Sequence, residues 1–402
     1  MQNYLVTSES VTEGHPDKLC DQISDGILDA FLAQDPLSRV AVETMVSPNT
    51  LFIAGEITSN ARVDVEAVAR DIARDVGYQS PQSGLDGGNC LVLTNLHTQS
   101  ADIARGVGPA GGAVGAGDQG VMYGYACDEC ETLMPLTHHL ATRLCRRLSD
   151  VRKSGLIPWL YPDGKAQVTV EYSAGGIPRR VTNIVVSAHH RETVPLEQVR
   201  EAILRDVIRP VVDERWLQGG TEIRVNPAGR FTVGGPMADT GLTGRKLMVD
   251  TYGGVGKHGG GAFSGKDPTK VDRSAAYMAR YVAKHIVAAK LAGRCEVALA
   301  YAIGLPNPEA VSIRTFGTGQ ISPGTLCETV GKLFSFSVKD ILERLRLCRP
   351  QYRKTAAYGH FGREDQDFCW EYLDNVAPLW EAATRRQRPK TAGKQRRNGT
   401  NP

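Results

Sequence analysis

The sequence predicts an α+β fold made of three similar helix–hairpin–helix–strand units arranged around a pseudo-threefold axis. Three observations predict it. A helical segment, a hairpin and a second amphipathic helix follow one another three times along the chain. A short strand closes at least the first two repeats. The hairpins are β-branched runs joined by short turns, which is the pattern of antiparallel pairing and not of βαβ crossovers.

The first helix of each unit opens on a proline, whose missing N–H costs nothing at the first helical position. Pro16 opens PDKLCDQISDGILDAFLAQ, with Leu19, Ile23, Ile27 and Phe31 on one stripe. Pro135 opens PLTHHLATRLCRRLSDV, and Pro268 opens PTKVDRSAAYMARYVAKHIVAAKL, with Asp267 as its expected N-cap. The hairpins follow: RVAVETMV with TLFIAGEIT across Pro48-Asn49, AQVTVEY with RRVTNIVVSA across Gly175-Gly176, and CEVALAYAIG with AVSIRTFGT across LPNPE. The second helices are ARVDVEAVARDIARDVG, LEQVREAILRDVIRPVV and TLCETVGKLFSFSVKDILERL; the closing strands are CLVLTNL and TEIRVNP. Two helices cover one face of each sheet. The other face needs cover from the neighbouring units or from a second subunit.

This pattern divides the chain into an N-terminal domain (1–102), a central domain (118–232) and a C-terminal domain (233–380). Between the first two lies a glycine-rich segment (103–117, including GVGPAGGAVGAG) that reads as a flexible lid. The basic, polar segment 381–402 reads as a disordered tail.

Composition narrows the function classes. The chain has 402 residues, a hydrophobic fraction of 41% and a charged fraction of 23%, ordinary for a globular protein of two or three domains. A net charge of +3 is too small to argue for nucleic acid as a general partner. No run of about 18 apolar residues predicts a membrane span, and MQNYLVTSES lacks the basic start and apolar core of a secretory signal. A cytoplasmic location is the expectation. The nine cysteines are scattered. Cys127 and Cys130 have metal-ligand spacing, with His138 and His139 downstream, but zinc would need all four to converge and no second CxxC exists. They read as structural thiols.

The residues suited to chemistry sit outside the hydrophobic periodicity. TSESVTEGHPDK packs Glu9, Glu13, His15, Asp17 and Lys18 into the start of the first helix. Backbone N–H groups there attract phosphate, and a carboxylate can instead hold Mg²⁺. KHGGGAFSGKDPTKVDR brings Gly259, Gly260 and Gly261 together with Lys266, Lys270 and Asp272. The two lysines are expected one helical turn apart. Gly260 to Lys266 satisfies G-x-x-x-x-G-K, but Asp267 stands where a Walker motif needs Ser or Thr. GAGDQGVMYGYA presents Asp118 and Gln119 on a tight loop before a strand-like run. Lys165, Asp239, Arg245, Lys246, Arg230 and Phe231 add charge and an aromatic face in Gly/Pro-rich loops.

Taken together, GAGDQGVMYGYA (115–126), GGGAFSGKD (259–267), SESVTEGHPDK, GGPMADTGLTGRKLMVDTYGG and TAAYGHFGR resemble the S-adenosylmethionine synthetase (methionine adenosyltransferase) family, from Thr7 to about Trp370. The resemblance implies three α+β domains and a dimer or tetramer whose active sites are shared between subunits. It implies ATP and L-methionine as substrates, with two Mg²⁺ per site and K⁺. By the same resemblance His15, Lys165, Arg245, Lys246 and Lys266 contact the phosphates and carry the catalysis. Asp118, Arg230, Phe231, Asp239 and Ala262 complete the ATP site; Glu56, Gln99, Asp239 and Lys270 hold methionine. Asp17 and Asp272 correspond to the magnesium ligands and Glu43 to the potassium ligand. The lid is more glycine-rich and less charged than is common in the family. Two rival readings stay open from the residues alone: a phosphohydrolase that cleaves ATP without methionine, and a non-catalytic subunit of the same fold.

Overall fold

The computed structural model describes residues 2–98, 114–217, 220–363 and 367–385. Gln99, most of the expected lid and the chain from 386 onward lie outside the described residues. In chain order the elements that position the site are β1 (Tyr4–Val11), α1 (Pro16–Gln34), β2 (Arg39–Ser47), β3 (Thr50–Thr58), α2 (Val65–Val76), β4 (Leu91–His97), β5 (Gly120–Cys127), α3 (Leu136–Lys153), β6 (Leu160–Tyr172), β7 (Pro178–His190), α4 (Leu196–Ile203), β8 (Glu222–Val225), β9 (Gly241–Leu242), α5 (Val271–Ala288), β10 (Arg294–Tyr301), β11 (Ala310–Arg314), α6 (Pro323–Leu333), α7 (Val338–Arg344) and α8 (Val376–Arg385). Among the described residues no helix is long and apolar enough to cross a membrane.

All three expected hairpins form: β2–β3, β6–β7 and β10–β11. The first turns on Asn49, whose φ of 49° is tolerated by asparagine. The strand order then repeats a rule. Sheet I runs β1-β6-β7-β8, sheet II runs β9-β2-β3-β4, and sheet III runs β11-β10-β5. In each, a strand from elsewhere in the chain lies antiparallel to the first hairpin strand. In sheets I and II a parallel strand closes the other edge. The added strand is always borrowed. β1 leaves the N-terminal segment for sheet I, β5 leaves the central segment for sheet III, and β9 leaves the C-terminal segment for sheet II. One core joins α1, α2 and sheet II to α5, sheet III and the C-terminal helices; a second lies between sheet I, α3 and α4.

The structure corrects five expectations. The third unit's first helix starts at Val271, later than Pro268. Asp267 does not cap it: its carboxylate accepts from the N–H and hydroxyl of Thr269 at 3.0 and 2.6 Å and from Val40 N–H at 2.8 Å. That local turn competes with the helix. The second helix of the third unit breaks into α6 and α7, because Ser337 accepts from Asp340 N–H at 3.2 Å and caps a new helix. In the second unit α4 continues through a π turn (Leu204–Ile208). Pro210 has no N–H to give to the Asp206 carbonyl, and Arg147 Nε donates to that carbonyl at 2.9 Å instead. Finally, α8 runs to Arg385, past residue 381, where the tail was expected to begin.

Candidate active site

Helix α1 organises the site with aspartates spaced four apart: Asp17, Asp21, Asp25 and Asp29. Four residues is just over one helical turn, so their carboxylates run along one side of α1. Each captures backbone N–H groups of a distant loop. Asp17 accepts from Leu242 N–H at 2.9 Å, Asp21 from Gly244 at 2.8 Å and Asp25 from Gly265 at 2.8 Å. Asp29 accepts from Gln351, Tyr352 and Arg353 at 2.8–2.9 Å. The spacing is visible in the sequence, although nothing in the apolar pattern points to the acids as loop anchors.

The free edge of β2 holds the same two loops. Gly241 and Leu242 pair with Val46 and Met45, and Thr243 N–H donates to the Thr44 carbonyl at 3.0 Å. Further along the edge, Val42 N–H donates to Gly265 O at 3.0 Å and Asp267 N–H to Val40 O at 2.9 Å. Gly265 has a φ of 81°, and a Cβ there would strike the Val42 carbonyl, so this docking requires glycine. Gly244 abuts Ala262, so the Arg245-Lys246 loop and the glycine-rich loop touch.

On this frame stand the expected phosphate and metal residues. Lys246 Nζ donates to Asp17 at 2.6 Å, and Arg245 Nε lies 3.7 Å from the same carboxylate. Burial pushes the Asp17 carboxyl up, but the Lys246 hydrogen bond and the Leu242 N–H outweigh it and hold it below its usual range. Lys266 Nζ donates to Asp272 at 2.7 Å. Asp17 and Asp272 therefore do not pair with each other; each carries a lysine. Beneath them Lys18 is fully buried between Asp21, at 3.0 Å, and Asp250. Burial raises Asp21 to about 7.

His15 caps α1 through its side chain: Nδ1 accepts from Asp17 N–H at 3.2 Å, so in the neutral ring the proton sits on Nε2. Burial first, then the positive charges of Lys246 and Lys165, lower its pKa to about 3. It is therefore a neutral donor at physiological pH, and Lys165 stands close enough to act on it. Lys165 reaches this position because β6 pairs with β1, with Thr12 N–H on Gly164 O at 2.9 Å and the Thr12 hydroxyl on Pro162 O at 2.7 Å.

The remaining expected residues lie around this centre with differing roles. Asp118 is exposed on the loop whose Gly117 N–H donates to Thr269 O at 3.1 Å, beside the Lys266 segment. Asp239 is exposed one turn after Gly235, whose N–H donates to Asp163 at 2.9 Å. Phe231 stacks on His189 with ring centres 5.1 Å apart, and Arg230 donates to the Glu192 carbonyl. Glu43 and Glu56 lie on the outward face of sheet II. Glu56 is opposite Ala41, which bridges Lys266, and it lies 3.2 Å from His97. Lys270 differs from expectation. It is not one helical turn from Lys266; it is the N-cap residue of α5, and its ammonium turns back onto Asp267.

Sequence reasoning missed three contributors. Arg273 on α5 binds Asp25 through two hydrogen bonds at 2.7 and 2.8 Å and also donates to the carbonyls of Phe263 and Lys266 at 3.0 and 3.2 Å, so it clamps the glycine-rich loop from below. Asp163, raised to about 6 by burial, lies beside Lys165 and Asp239. His258 accepts from Gly260 N–H at 2.8 Å and fixes the loop's turn. The arginine and the aspartate are buried charges in segments already rich in charged and turn-forming residues, where pattern alone does not show which charge is buried.

Comparison with known proteins gives one consistent result. Family models described as the N-terminal, central and C-terminal domains of S-adenosylmethionine synthetase match residues 3–101, 113–231 and 233–372. The S-adenosylmethionine synthase 1 of Rhodospirillum rubrum is 60% identical over 379 residues, 94% of this chain and 98% of that protein. The S-adenosylmethionine synthase 1 of Rhodopseudomonas palustris is 57% identical over 385 residues, covering 96% and 100%. The S-adenosylmethionine synthase of Syntrophobacter fumaroxidans is 51% identical over 386 residues, covering 95% and 99%.

Proposed function

The chain belongs to the S-adenosylmethionine synthetase family, whose members are methionine adenosyltransferases, and from that premise we propose how its own residues carry the reaction. The methionine sulfur attacks the ribose C5′ of ATP, and triphosphate leaves; it is then hydrolysed to phosphate and pyrophosphate in the same pocket. A thioether needs no deprotonation, so the site requires no nucleophile–base pair. It requires charge at the leaving group. The observation that carries the reading is the docking of two cation-bearing loops along one edge of β2, over an α1 N-terminus capped by neutral His15.

In this reading Lys165, Arg245, Lys246 and Lys266 bind the triphosphate oxygens, and His15 donates through Nε2–H. Preorganised donors of this kind are worth about 3 kcal/mol each to the transition state. Asp17 and Asp272 fit Mg²⁺: both are carboxylates that already hold a cation, the ammonium of Lys246 or Lys266. Asp17 and Asp272 would hold the ions, and Lys246 and Lys266, which pair with those carboxylates here, would bind the phosphate oxygens. Two Mg²⁺ held there would supply charge neutralisation at the departing triphosphate, and Glu43 would hold K⁺. Arg230 and Phe231 bound the adenine, with Ala262 and Asp118 near the nucleotide. Glu56, Gln99, Asp239 and Lys270 hold methionine. Lys270 must first leave Asp267 to do so.

The three segments 1–102, 118–232 and 233–380 form the domains, related by a pseudo-threefold axis; the cyclic lending of β1, β5 and β9 supports that arrangement. Segment 103–117 is the lid. We assign a homodimer or homotetramer with shared sites, because the outward face of sheet II exposes Met45, Phe52, Leu91 and Leu93 beside Glu43 and Glu56. A cytoplasmic setting fits the reaction.

The test is direct. With ATP, Mg²⁺ and K⁺, purified protein should release phosphate and pyrophosphate only when methionine is added, with S-adenosylmethionine formed in equal amount. Methionine-independent phosphate release, or no sulfonium product by mass spectrometry, would overturn the assignment in favour of a phosphohydrolase.

A further inference from the structure

The cysteine–histidine motif singled out in the sequence is not used by the proposed reaction, and the fold rearranges it. The four residues that a zinc site would have needed do not all converge. Cys127 is buried in β5, and His138 bonds the Val249 carbonyl through Nε2 at 2.9 Å. Cys130 and His139 do converge, with Glu131 as a third group, because the turn from Cys127 to Met134 folds back on the first turn of α3. Leu133 N–H donates to Cys130 O at 3.0 Å, and Cys127 N–H to Leu133 O at 3.3 Å. The candidate ligand atoms of Cys130, Glu131 and His139 all lie within 4.8 Å of one another.

We propose that Cys130, Glu131 and His139 form a second metal site for a zinc-like divalent ion, separate from the magnesium site of the reaction. The donor set is the first argument. One thiolate, one imidazole and one carboxylate suit borderline-soft Zn²⁺ or Co²⁺ and not hard Mg²⁺. Geometry is the second. Ligands about 2.0–2.3 Å from a tetrahedral ion stand about 3.3–3.7 Å apart. His139 Nε2 and Glu131 Oε1 are already 3.3 Å apart. The outer contacts are the third. Thr132 Oγ1 lies 3.3 Å from both His139 Nδ1 and Cys130 Sγ. With Nε2 on the metal, Nδ1–H donates to Thr132, which fixes ring orientation as an outer partner does in zinc sites.

The fourth position opens outward. Glu131 and His139 line a cavity of about 510 Å³ whose other walls include Arg143, Arg146 and Arg363. Three protein ligands, two of them on the wall of that space, describe an ion with an exchangeable fourth ligand and not a closed structural site. Binding must expel the thiol proton, which Cys130 now donates to the Met134 carbonyl at 3.1 Å. One proton leaves as the sulfur–metal bond forms.

The experiment uses the full-length protein, stripped with chelator and held in excess Mg²⁺ to occupy the reaction's acids. Co²⁺ titration should give one equivalent per chain, a cobalt–thiolate charge-transfer band, and proton release; Zn²⁺ should bleach the band. Cys130→Ser and His139→Gln should abolish it, Cys127→Ser should keep it, and Thr132→Ala should weaken affinity about 10- to 100-fold. Circular dichroism and the thermal midpoint establish that each variant is folded. Absence of the band in the wild-type protein, or its persistence in folded Cys130→Ser, overturns the proposal.

Discussion

Replacing Arg273 with methionine tests whether a buried charge pair positions the glycine-rich loop. Arg273 and Asp25 are both fully buried, and the two bonds between them are 2.7 and 2.8 Å. Methionine fills much of the volume but leaves the Asp25 carboxylate with Gly265 N–H as its remaining hydrogen bond. Removing one partner of a buried pair costs about 3–5 kcal/mol, because the other charge stays buried and uncompensated. At ~1.4 kcal/mol per decade that is about two to three and a half decades in the folding equilibrium. Adding Asp25→Asn to Arg273→Met removes the stranded charge while keeping an acceptor for Gly265. The double variant should therefore regain more than half of the lost stability. Its turnover should stay low, since the Phe263 and Lys266 carbonyls lose the Arg273 guanidinium as a donor in both proteins. Chemical denaturation of wild type, both single variants and the double variant measures the cycle, and methionine-dependent pyrophosphate release measures turnover. A single-variant cost below ~1 kcal/mol, or a double variant no more stable than Arg273→Met, would refute the reasoning.

Other outcomes follow from the same geometry. Lys266→Ala removes a phosphate cation and should lower turnover by about 100-fold or more with the oligomer intact by size-exclusion chromatography; near-normal turnover removes Lys266 from its role. A Cβ on Gly261 would run into the Asp272 carboxylate. Gly261→Ala should therefore raise the Mg²⁺ concentration needed for half-maximal rate, and an unchanged Mg²⁺ curve would count against Asp272 as a ligand. His15, lowered to about 3, stays neutral from pH 5 to 8. His15→Gln should thus reduce the rate without changing the shape of the pH–rate profile in that window. For stability the sign is the reverse of a paired histidine. As pH falls from 6.5 toward 3 the unfolded chain takes up a proton at this residue and the folded chain does not, so folding weakens. Acid titration of the wild-type protein and His15→Gln should accordingly give a shallower loss of stability in the variant.

Much of the site was legible because its segments break the apolar periodicity. His15, Asp17, Lys266 and Asp272 sit in runs too rich in charge and glycine for plain turns, and the structure gathers them on the loops and helix starts around β2. Lys270 misled. Its spacing from Lys266 looks helical, but Asp267 prefers a local turn with Thr269, so the helix begins later and the ammonium folds back. The aspartate series on α1 was written in the sequence at a helical period, but acids on a helix read as a solvated face unless their partners are known.

What the sequence determined by itself was local. Hairpin turns such as Pro48-Asn49, the opening of α1 on Pro16 and the alternation of the strands follow from φ/ψ restrictions and side-chain period, which need only neighbours along the chain. Only the tertiary structure decided which sheet β1, β5 and β9 would join, which lysine would hold which carboxylate, and that Cys130 would meet His139 while Cys127 would not. A sheet edge offers the same row of N–H and C=O groups to any strand, so the identity of its partner is fixed by how the units pack and not by the pattern of either strand.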